Sequence, residues 1–142
     1  MAICYIVGAG DCPPLENIRI NEGDTVIAAD AGLRYLRAAG INPDSVIGDF
    51  DSLGSVPEGG KVTVLPAEKD VTDMYAAAEA GVAAGCTEFK FYGWSGGRLD
   101  HTLANIQLCA SLVERGYRAD FVAEKQILTV LHCGEMRFDK SH

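Results

Sequence analysis

Short runs that are apolar almost throughout recur along this chain and alternate with segments of helical pattern. AICYIVG (2–8) and TVIAADAG (25–32) are the clearest, and each ends in glycine. A strand that is apolar on both of its sides is buried on both, which is typical of a parallel sheet covered by helices on each face. The sequence therefore predicts an α/β fold, a three-layer α/β/α Rossmann-like arrangement with a mostly parallel sheet of about six strands.

The helical segments are LRYLRAAG (33–40), the alanine-rich DVTDMYAAAEAGVAAG (70–85) and RLDHTLANIQLCASLVERG (98–116). Alanine has the highest intrinsic helix propensity, which favours the second segment. In the third, apolar residues recur at steps of four or three: Leu99, Leu103, Ile106, Ala110 and Val113. This spacing predicts one apolar stripe along the helix.

Composition excludes several classes of protein. The net charge of −8 argues against non-specific binding to nucleic acid, which depends on a basic surface. No apolar run approaches the roughly 18 residues of a membrane span, and the start of the chain has no basic leader. A cytoplasmic location is the expectation.

The cysteines number five and are widely spaced, without a CxxC pair. Cys4 and Cys109 lie in apolar segments, where a free cysteine behaves as a small hydrophobic residue. Reduced thiols in or near the core are therefore favoured over a metal or redox site.

Glycines and aspartates follow nearly every predicted strand. Ligands of open α/β sheets bind beyond the carboxyl ends of the strands, so these residues are candidates for a site. Asp30 follows the second strand, GDFDS (48–52) the third, and GWSGG (93–97) the fifth.

Two acidic pairs are candidates for metal binding. Asp49 and Asp51 alternate in extended chain and so point to the same side, where Mg²⁺ would relieve their repulsion; a solvated acidic turn is the alternative. Asp70 and Asp73 lie three residues apart on one face of a helix start. The helix dipole alone would also favour acids there.

The turn before the third helix is typical of phosphate binding. Gly96 and Gly97 let backbone amides approach an anion at a helix start, and Arg98 opposes the helix dipole unless an anion is bound there. Asp100 and His101 follow in the first turn. His101 is either a general base or a packed histidine whose partner is Asn105. The pattern is neither a Walker A loop nor GxGxxG.

These motifs together resemble the catalytic domain of the thiamine pyrophosphokinase (thiamine diphosphokinase) family. The resemblance rests on GDFDS (48–52), KDVTD (69–73) and GGRLDHTLANI (96–106), in that order, and on ADAGLRYL (29–36). It implies transfer of a diphosphoryl group from ATP to the hydroxyl of thiamine, giving thiamine diphosphate and AMP. It also implies Mg²⁺ as cofactor and a transfer that needs positioning and charge neutralisation more than covalent help from the protein.

The resemblance assigns roles to particular residues. Asp49, Asp51 and Asp73 would hold Mg²⁺ on the ATP phosphates, with Asp70 beside them. The polyphosphate would be received by Ser95, Gly96, Gly97 and Arg98. Asp100 and Asn105 would shape the nucleotide or metal site, and Asp30 would line the same cleft.

The resemblance also implies an architecture. Residues 1–133 would form the ATP- and Mg²⁺-binding α/β domain, and residues 134–142 would begin a C-terminal β domain. Thiamine would bind where that domain meets the partner subunit of a homodimer. Three alternatives stay open: a diphosphokinase for another hydroxymethyl heterocycle of the pterin type, a nucleotide-binding module without catalysis, and a flavodoxin-like scaffold with acidic capping residues only.

Overall fold

The computed structural model describes residues 2–15, 18–48, 61–64, 73–96, 99–123 and 127–129, with the backbone alone at Asp30, 61–64 and His101. The strands within these ranges are β1 (Ile3–Val7), β2 (Thr25–Ala29), β3 (Ser45–Gly48), β4 (Lys61–Val64), β5 (Glu88–Tyr92), β6 (Arg118–Val122) and β7 (Ile127–Thr129). The helices are α1 (Leu33–Ala38), α2 (Asp73–Ala83) and α3 (Leu99–Glu114), and a 3-10 turn (Asp30–Gly32) precedes α1. Among these described helices, none combines the length and hydropathy that a bilayer span requires. The predicted domain boundary between 133 and 134 lies outside the described residues.

The strands form one sheet in the order β4-β3-β2-β1-β5-β6-β7. Neighbouring strands pair in parallel, except that β6 and β7 are antiparallel. The chain runs outward from β1 to β4 at one edge and then returns to β5 beside β1. The predicted α/β fold with a mostly parallel sheet is confirmed. The strand count exceeds the expected number because β7 adds a short antiparallel strand at the edge.

Side chains alternate along each strand between two apolar clusters on opposite faces of the sheet. Cys4 and Ile6 of β1 lie in the cluster beneath α2 and α3, which we call the α2/α3 core. Tyr5 and Val7 lie in the cluster beneath α1, which we call the α1 core. The largest fully buried side chains of the α2/α3 core are Phe89, Phe91, Phe121, Ile6, Ile27 and Leu112. Helices therefore cover both faces, as the three-layer prediction requires.

The apolar stripe predicted for α3 matches its buried face only in part, because Ile106 and Val113 pack partly buried against the α2/α3 core. Leu99 and Leu103 are 71% and 53% exposed, so the prediction is wrong for both. The buried residues of α3 are Asn105, Leu108, Cys109 and Leu112. At 3.6 residues per turn, the centre of the predicted stripe lies about 130° around the helix from the centre of this face. Apolar residues occupy more than one face of α3, and spacing alone therefore does not select the one that packs on the sheet.

The described cysteines are core or partly buried thiols, as predicted. Cys4, Cys86 and Cys109 are buried and Cys12 is half-buried, and all four are in the thiol form. Burial, with Cys86 alongside as a second cause, raises the pKa of Cys4 far above its ordinary value. A thiol that stays protonated in this way is unreactive. Cys133 lies outside the described residues.

Candidate functional site

The order of the sheet reverses between β1 and β5. These two strands lie side by side in parallel, with Val7 opposite Tyr92 at their carboxyl ends. The chain leaves β1 toward one edge of the sheet and leaves β5 toward the other. In open α/β sheets, ligands bind at such a reversal, beyond the carboxyl ends of the strands. The residues that follow β1 and β5 therefore form the candidate site.

The two segments that follow these strands stay hydrogen-bonded to each other. The amide of Gly10 donates to the carbonyl of Gly93 at 2.8 Å, and the amide of Asp11 donates to the carbonyl of Ser95 at 2.7 Å. Asp11 and Ser95 form an antiparallel bridge. This pairing holds residues 93–96, which we call the 93–96 turn, in a defined position relative to β1.

Gly93 is the residue that allows this close approach. Its φ is +65°, a left-handed conformation that L side chains rarely adopt. A methyl group on Gly93 would clash with the carbonyl oxygen of Gly8 and lie 2.8 Å from its carbonyl carbon. The 93–96 turn therefore needs glycine here both for backbone conformation and for space.

Helix α3 and strand β6 hold the 93–96 turn from one side. The side-chain amide of Asn105, which is 5% exposed, donates to the carbonyl of Trp94 at 2.8 Å. The indole of Trp94 donates to the carbonyl of Val122 at 3.1 Å and stacks on Phe121 with the ring centroids 4.7 Å apart. Trp94 is thus half-buried and packs against the α2/α3 core.

Helix α1 reaches the same assembly from the opposite face of the sheet. The hydroxyl of Tyr35 donates to the carbonyl of Gly10 at 2.7 Å. Sequence reasoning missed this residue. Its spacing in α1 is that of an ordinary half-buried aromatic, and its contact depends on the pairing between the segments that follow β1 and β5.

Carboxylates lie near the start of both helices on the α2/α3 face. Asp73 begins α2 and Asp100 lies in the first turn of α3, positions where the helix dipole stabilises a negative charge. The carboxyl group of Asp11 lies against Gly96, with its carbon 2.6 Å from the position that a methyl group on Gly96 would occupy. Sequence reasoning also missed Asp11, because only the pairing with Ser95 brings it to the 93–96 turn.

The structure describes part of the predicted site. Ser95, Gly96 and Asn105 come together at the 93–96 turn, and the described contact of Asn105 is with the main chain of Trp94. Asp73 begins α2, and Asp100 lies in the first turn of α3. The backbone of Asp30 directly follows β2. The predicted residues outside the described ranges are Asp49, Asp51, Asp70, Gly97 and Arg98. Within those ranges no group of three or more His, Cys, Asp or Glu residues is arranged to hold a metal ion, so the metal set stays a prediction.

The fold and the site define an α/β protein with a glycine-rich turn and acidic residues at the point where the strand order reverses. A sequence model of the family described as thiamin pyrophosphokinase, catalytic domain, matches residues 19–121. The chain therefore belongs to this family. The matched stretch contains every site residue that the sequence analysis singled out, including those outside the described ranges.

Individual relatives agree with this assignment. The chain is 30% identical over 120 residues to a thiamine pyrophosphokinase of Bacillus subtilis, a match that covers 80% of this chain and 56% of that protein. A crystal structure of thiamine pyrophosphokinase from Bacillus subtilis has a TM-score of 0.71 at 29% identity, covering 86% of this chain and 60% of the other. One from Geobacillus thermodenitrificans has a TM-score of 0.69 at 30% identity, covering 86% and 59%. The chain thus spans less than two thirds of the length of these relatives.

Proposed function

We propose that this chain is the ATP-binding, catalytic part of a thiamine pyrophosphokinase. The reaction would transfer a diphosphate group from ATP to the hydroxyl of thiamine, giving thiamine diphosphate and AMP. The observation that carries the proposal is the family match across residues 19–121, which includes the acidic motifs and the 93–96 turn. A homodimer and a cytoplasmic location remain predictions attached to this proposal.

The proposed nucleotide site combines the 93–96 turn with the acidic residues. Ser95, Gly96, Gly97 and Arg98 would receive the polyphosphate, while Asp100, Asn105 and Asp30 would shape the surrounding cleft. The donors proposed for Mg²⁺ are the carboxylates of Asp49, Asp51 and Asp73, with Asp70 beside them. Carboxylate oxygens are the hard ligands that Mg²⁺ prefers, together with substrate phosphates. Bound there, Mg²⁺ would neutralise charge on the phosphates and orient them for attack.

The position of Asp11 supports a metal-bound nucleotide over a free one. Its carboxyl group lies against Gly96, at the turn proposed to receive the polyphosphate. Two negative groups a few ångströms apart repel each other unless a positive charge lies between them. Free ATP would meet this repulsion directly, whereas Mg·ATP would meet much less of it.

The chemistry asks the protein for positioning more than for covalent help. The thiamine hydroxyl would attack the β-phosphorus in line, and the bond from that phosphorus to the oxygen of AMP would break. An aspartate carboxylate of the cluster would accept the proton that the hydroxyl loses. The main-chain contacts that hold the 93–96 turn would keep the β-phosphorus in line with the hydroxyl.

Calorimetric titration with ATP, with and without Mg²⁺, tests the binding half of the proposal. We expect Mg·ATP to bind and Asp73→Asn to weaken binding by about tenfold or more, because a lost carboxylate ligand weakens a metal site strongly. Glu114→Gln is the matched control, since Glu114 is exposed at the far end of α3 and its loss should leave affinity unchanged. Equal affinity for ATP with and without Mg²⁺ would contradict the proposal.

A product assay on the full-length protein tests the catalytic half, because thiamine is expected to bind where the C-terminal domain meets the partner subunit. With thiamine and Mg·ATP we expect AMP and thiamine diphosphate to form in equal amounts. AMP formed with a hydroxymethyl pterin but not with thiamine would move the chain to the alternative diphosphokinase. Tight Mg·ATP binding with no AMP from either acceptor would make it a nucleotide-binding module without catalysis.

A further inference from the structure

We propose that Tyr35 is a positioning residue for nucleotide binding, acting on the 93–96 turn through the peptide bond between Gly10 and Asp11. This inference rests on the proposed function, because it takes the 93–96 turn as the part of the site that receives the polyphosphate. Tyr35 lies in α1, beneath the opposite face of the sheet from α2 and α3. It lies within ADAGLRYL (29–36), one of the motifs that carry the resemblance, but the sequence analysis gave it no role in the site.

One peptide unit, between Gly10 and Asp11, links Tyr35 to the 93–96 turn. The carbonyl of Gly10 accepts the hydroxyl hydrogen of Tyr35 at 2.7 Å. The amide of Asp11, on the same planar unit, donates to the carbonyl of Ser95 at 2.7 Å. Because a peptide group is rigid and planar, fixing the direction of its carbonyl also fixes the direction of its amide. The hydroxyl of Tyr35 thus sets the orientation of the donor that holds Ser95.

The two bonds also strengthen each other. A carbonyl that accepts a hydrogen bond polarises its own peptide group, which makes the amide on that group a better donor. Removing the hydroxyl of Tyr35 therefore weakens the bond from Asp11 to Ser95, even though neither of those residues is changed.

The carbonyls of the 93–96 turn show why this bond matters. Three successive carbonyls accept hydrogen bonds from separate donors: that of Gly93 from Gly10, that of Trp94 from Asn105 and that of Ser95 from Asp11. Asn105 and Trp94 fix the turn from α3 and β6. The hydroxyl of Tyr35 fixes the segment after β1 from α1. The turn is thereby held between the helices of both faces, and its backbone amides are preset for an anion.

The hydroxyl of Tyr35 can be removed while its ring is kept. Tyr35→Phe retains the half-buried ring, which packs against the α1 core, and deletes only the donor to Gly10. Tyr5→Phe is a matched control on the same face, because the hydroxyl of Tyr5 also donates to a main-chain carbonyl, that of Arg19, at 3.2 Å. The bond of Tyr5 makes no contact with the 93–96 turn.

Two measurements on these variants test the proposal. We expect Tyr35→Phe to weaken Mg·ATP binding by about three- to tenfold, and the amide of Asp11 to exchange its hydrogen faster by a similar factor, the usual range for one lost hydrogen bond. Calorimetry gives the first and NMR hydrogen exchange gives the second. Tyr5→Phe should change neither, and the two variants should have similar melting temperatures.

Each other outcome overturns a definite part of the proposal. Wild-type protein that fails to bind Mg·ATP removes the proposed function, and the role of Tyr35 with it. Wild-type binding that Tyr35→Phe leaves unchanged refutes the role of Tyr35 alone, even if the amide of Asp11 exchanges faster, because the bond is then only structural. Equal weakening in Tyr35→Phe and Tyr5→Phe also refutes it, since a general loss of stability would explain both.

Discussion

The α2/α3 core and the 93–96 turn meet at Trp94 but are stabilised in opposite ways. In the core, large side chains fill the space: Phe91 and Phe121 are fully buried, with ring centroids 4.9 Å apart. At the turn, hydrogen bonds hold three backbone carbonyls, two from main-chain amides and one from the side chain of Asn105, and the close approach depends on the missing side chain of Gly93. Removing atoms should therefore damage the core, whereas adding atoms should damage the turn.

Because of this difference, the hydrophobic pattern of a sequence can predict the core but not the hydrogen bonds of the turn. Apolar burial stabilises in proportion to area and leaves a periodic trace in the sequence. Hydrogen bonds between two loops distant in sequence leave no such trace, because any residue supplies the same amide and carbonyl. The comparison predicts that changes in the core mainly alter stability, while changes at the turn also alter binding of the nucleotide.

The largest expected effect is on the stability of the core, at Leu112 of α3, and the exposed Leu103 of the same helix is its control. Leu112 is fully buried and Leu103 is 53% exposed. We expect Leu112→Ala to lower the free energy of unfolding by about 2–5 kcal/mol, because it removes buried methyl groups and leaves a cavity. Leu103→Ala should stay within about 0.5 kcal/mol of the wild type. Urea unfolding of both variants measures the difference, and equal effects would contradict the observed face of α3.

An effect on stability that is no larger than this is expected when a methyl group is added at the turn. Gly93→Ala introduces a left-handed alanine, at about 1–2 kcal/mol, and a clash with Gly8 worth a further 1–3 kcal/mol, roughly. Gly116→Ala is the matched control, because Gly116 also has a positive φ, +94°, and a methyl group there would meet no atom within 4 Å. The difference between the two variants in urea unfolding isolates the clash.

The variants Gly93→Ala and Gly116→Ala also test whether the 93–96 turn takes part in nucleotide binding. Once the loss of stability is allowed for, Gly93→Ala should weaken Mg·ATP binding by about tenfold or more, since a 1 Å displacement of a positioned site is costly. Gly116→Ala should bind normally. Normal binding by a folded Gly93→Ala protein would show that the 93–96 turn is only a structural connection.

Sequence patterns were enough to predict the helices, the strands and the parallel sheet. Buried runs such as ICYIV in β1 carry burial and strand propensity together, and these local properties decide the element type. The buried face of α3 was not predictable, because Leu99 and Leu103 match the helical period as well as Leu108 and Leu112 do. Which set packs on the sheet depends on contacts with β5 and β6 that are remote in sequence.

Some residues of the candidate site could likewise be predicted from the sequence, and others could not. Gly96 was identified because a glycine-rich turn before a helix has a known physical use, and Asn105 was identified from its helical spacing to His101 and from the resemblance. Tyr35 and Asp11 were missed because each acts through a main-chain partner in another loop. The acidic residues at Asp49, Asp51 and Asp70 remain predictions from motif and family alone.

The smallest expected effect concerns Tyr92, which lies where the α1 core approaches the site. Burial raises the pKa of Tyr92 from its ordinary value of 10 to about 12. Since the folded state keeps the phenol protonated longer than the unfolded state does, this stabilisation is fully present below pH 10 and is lost as the pH rises to about 12. Thermal unfolding of the wild type should therefore show a melting temperature that falls by a few degrees across this window, and the melting temperature of Tyr92→Phe should fall less.

Burial also raises the pKa of Cys12, to about 11, so a second loss of stability between pH 9 and 11 should appear in both proteins. Identical pH profiles for the wild type and Tyr92→Phe would mean that this end of β5 is open to water.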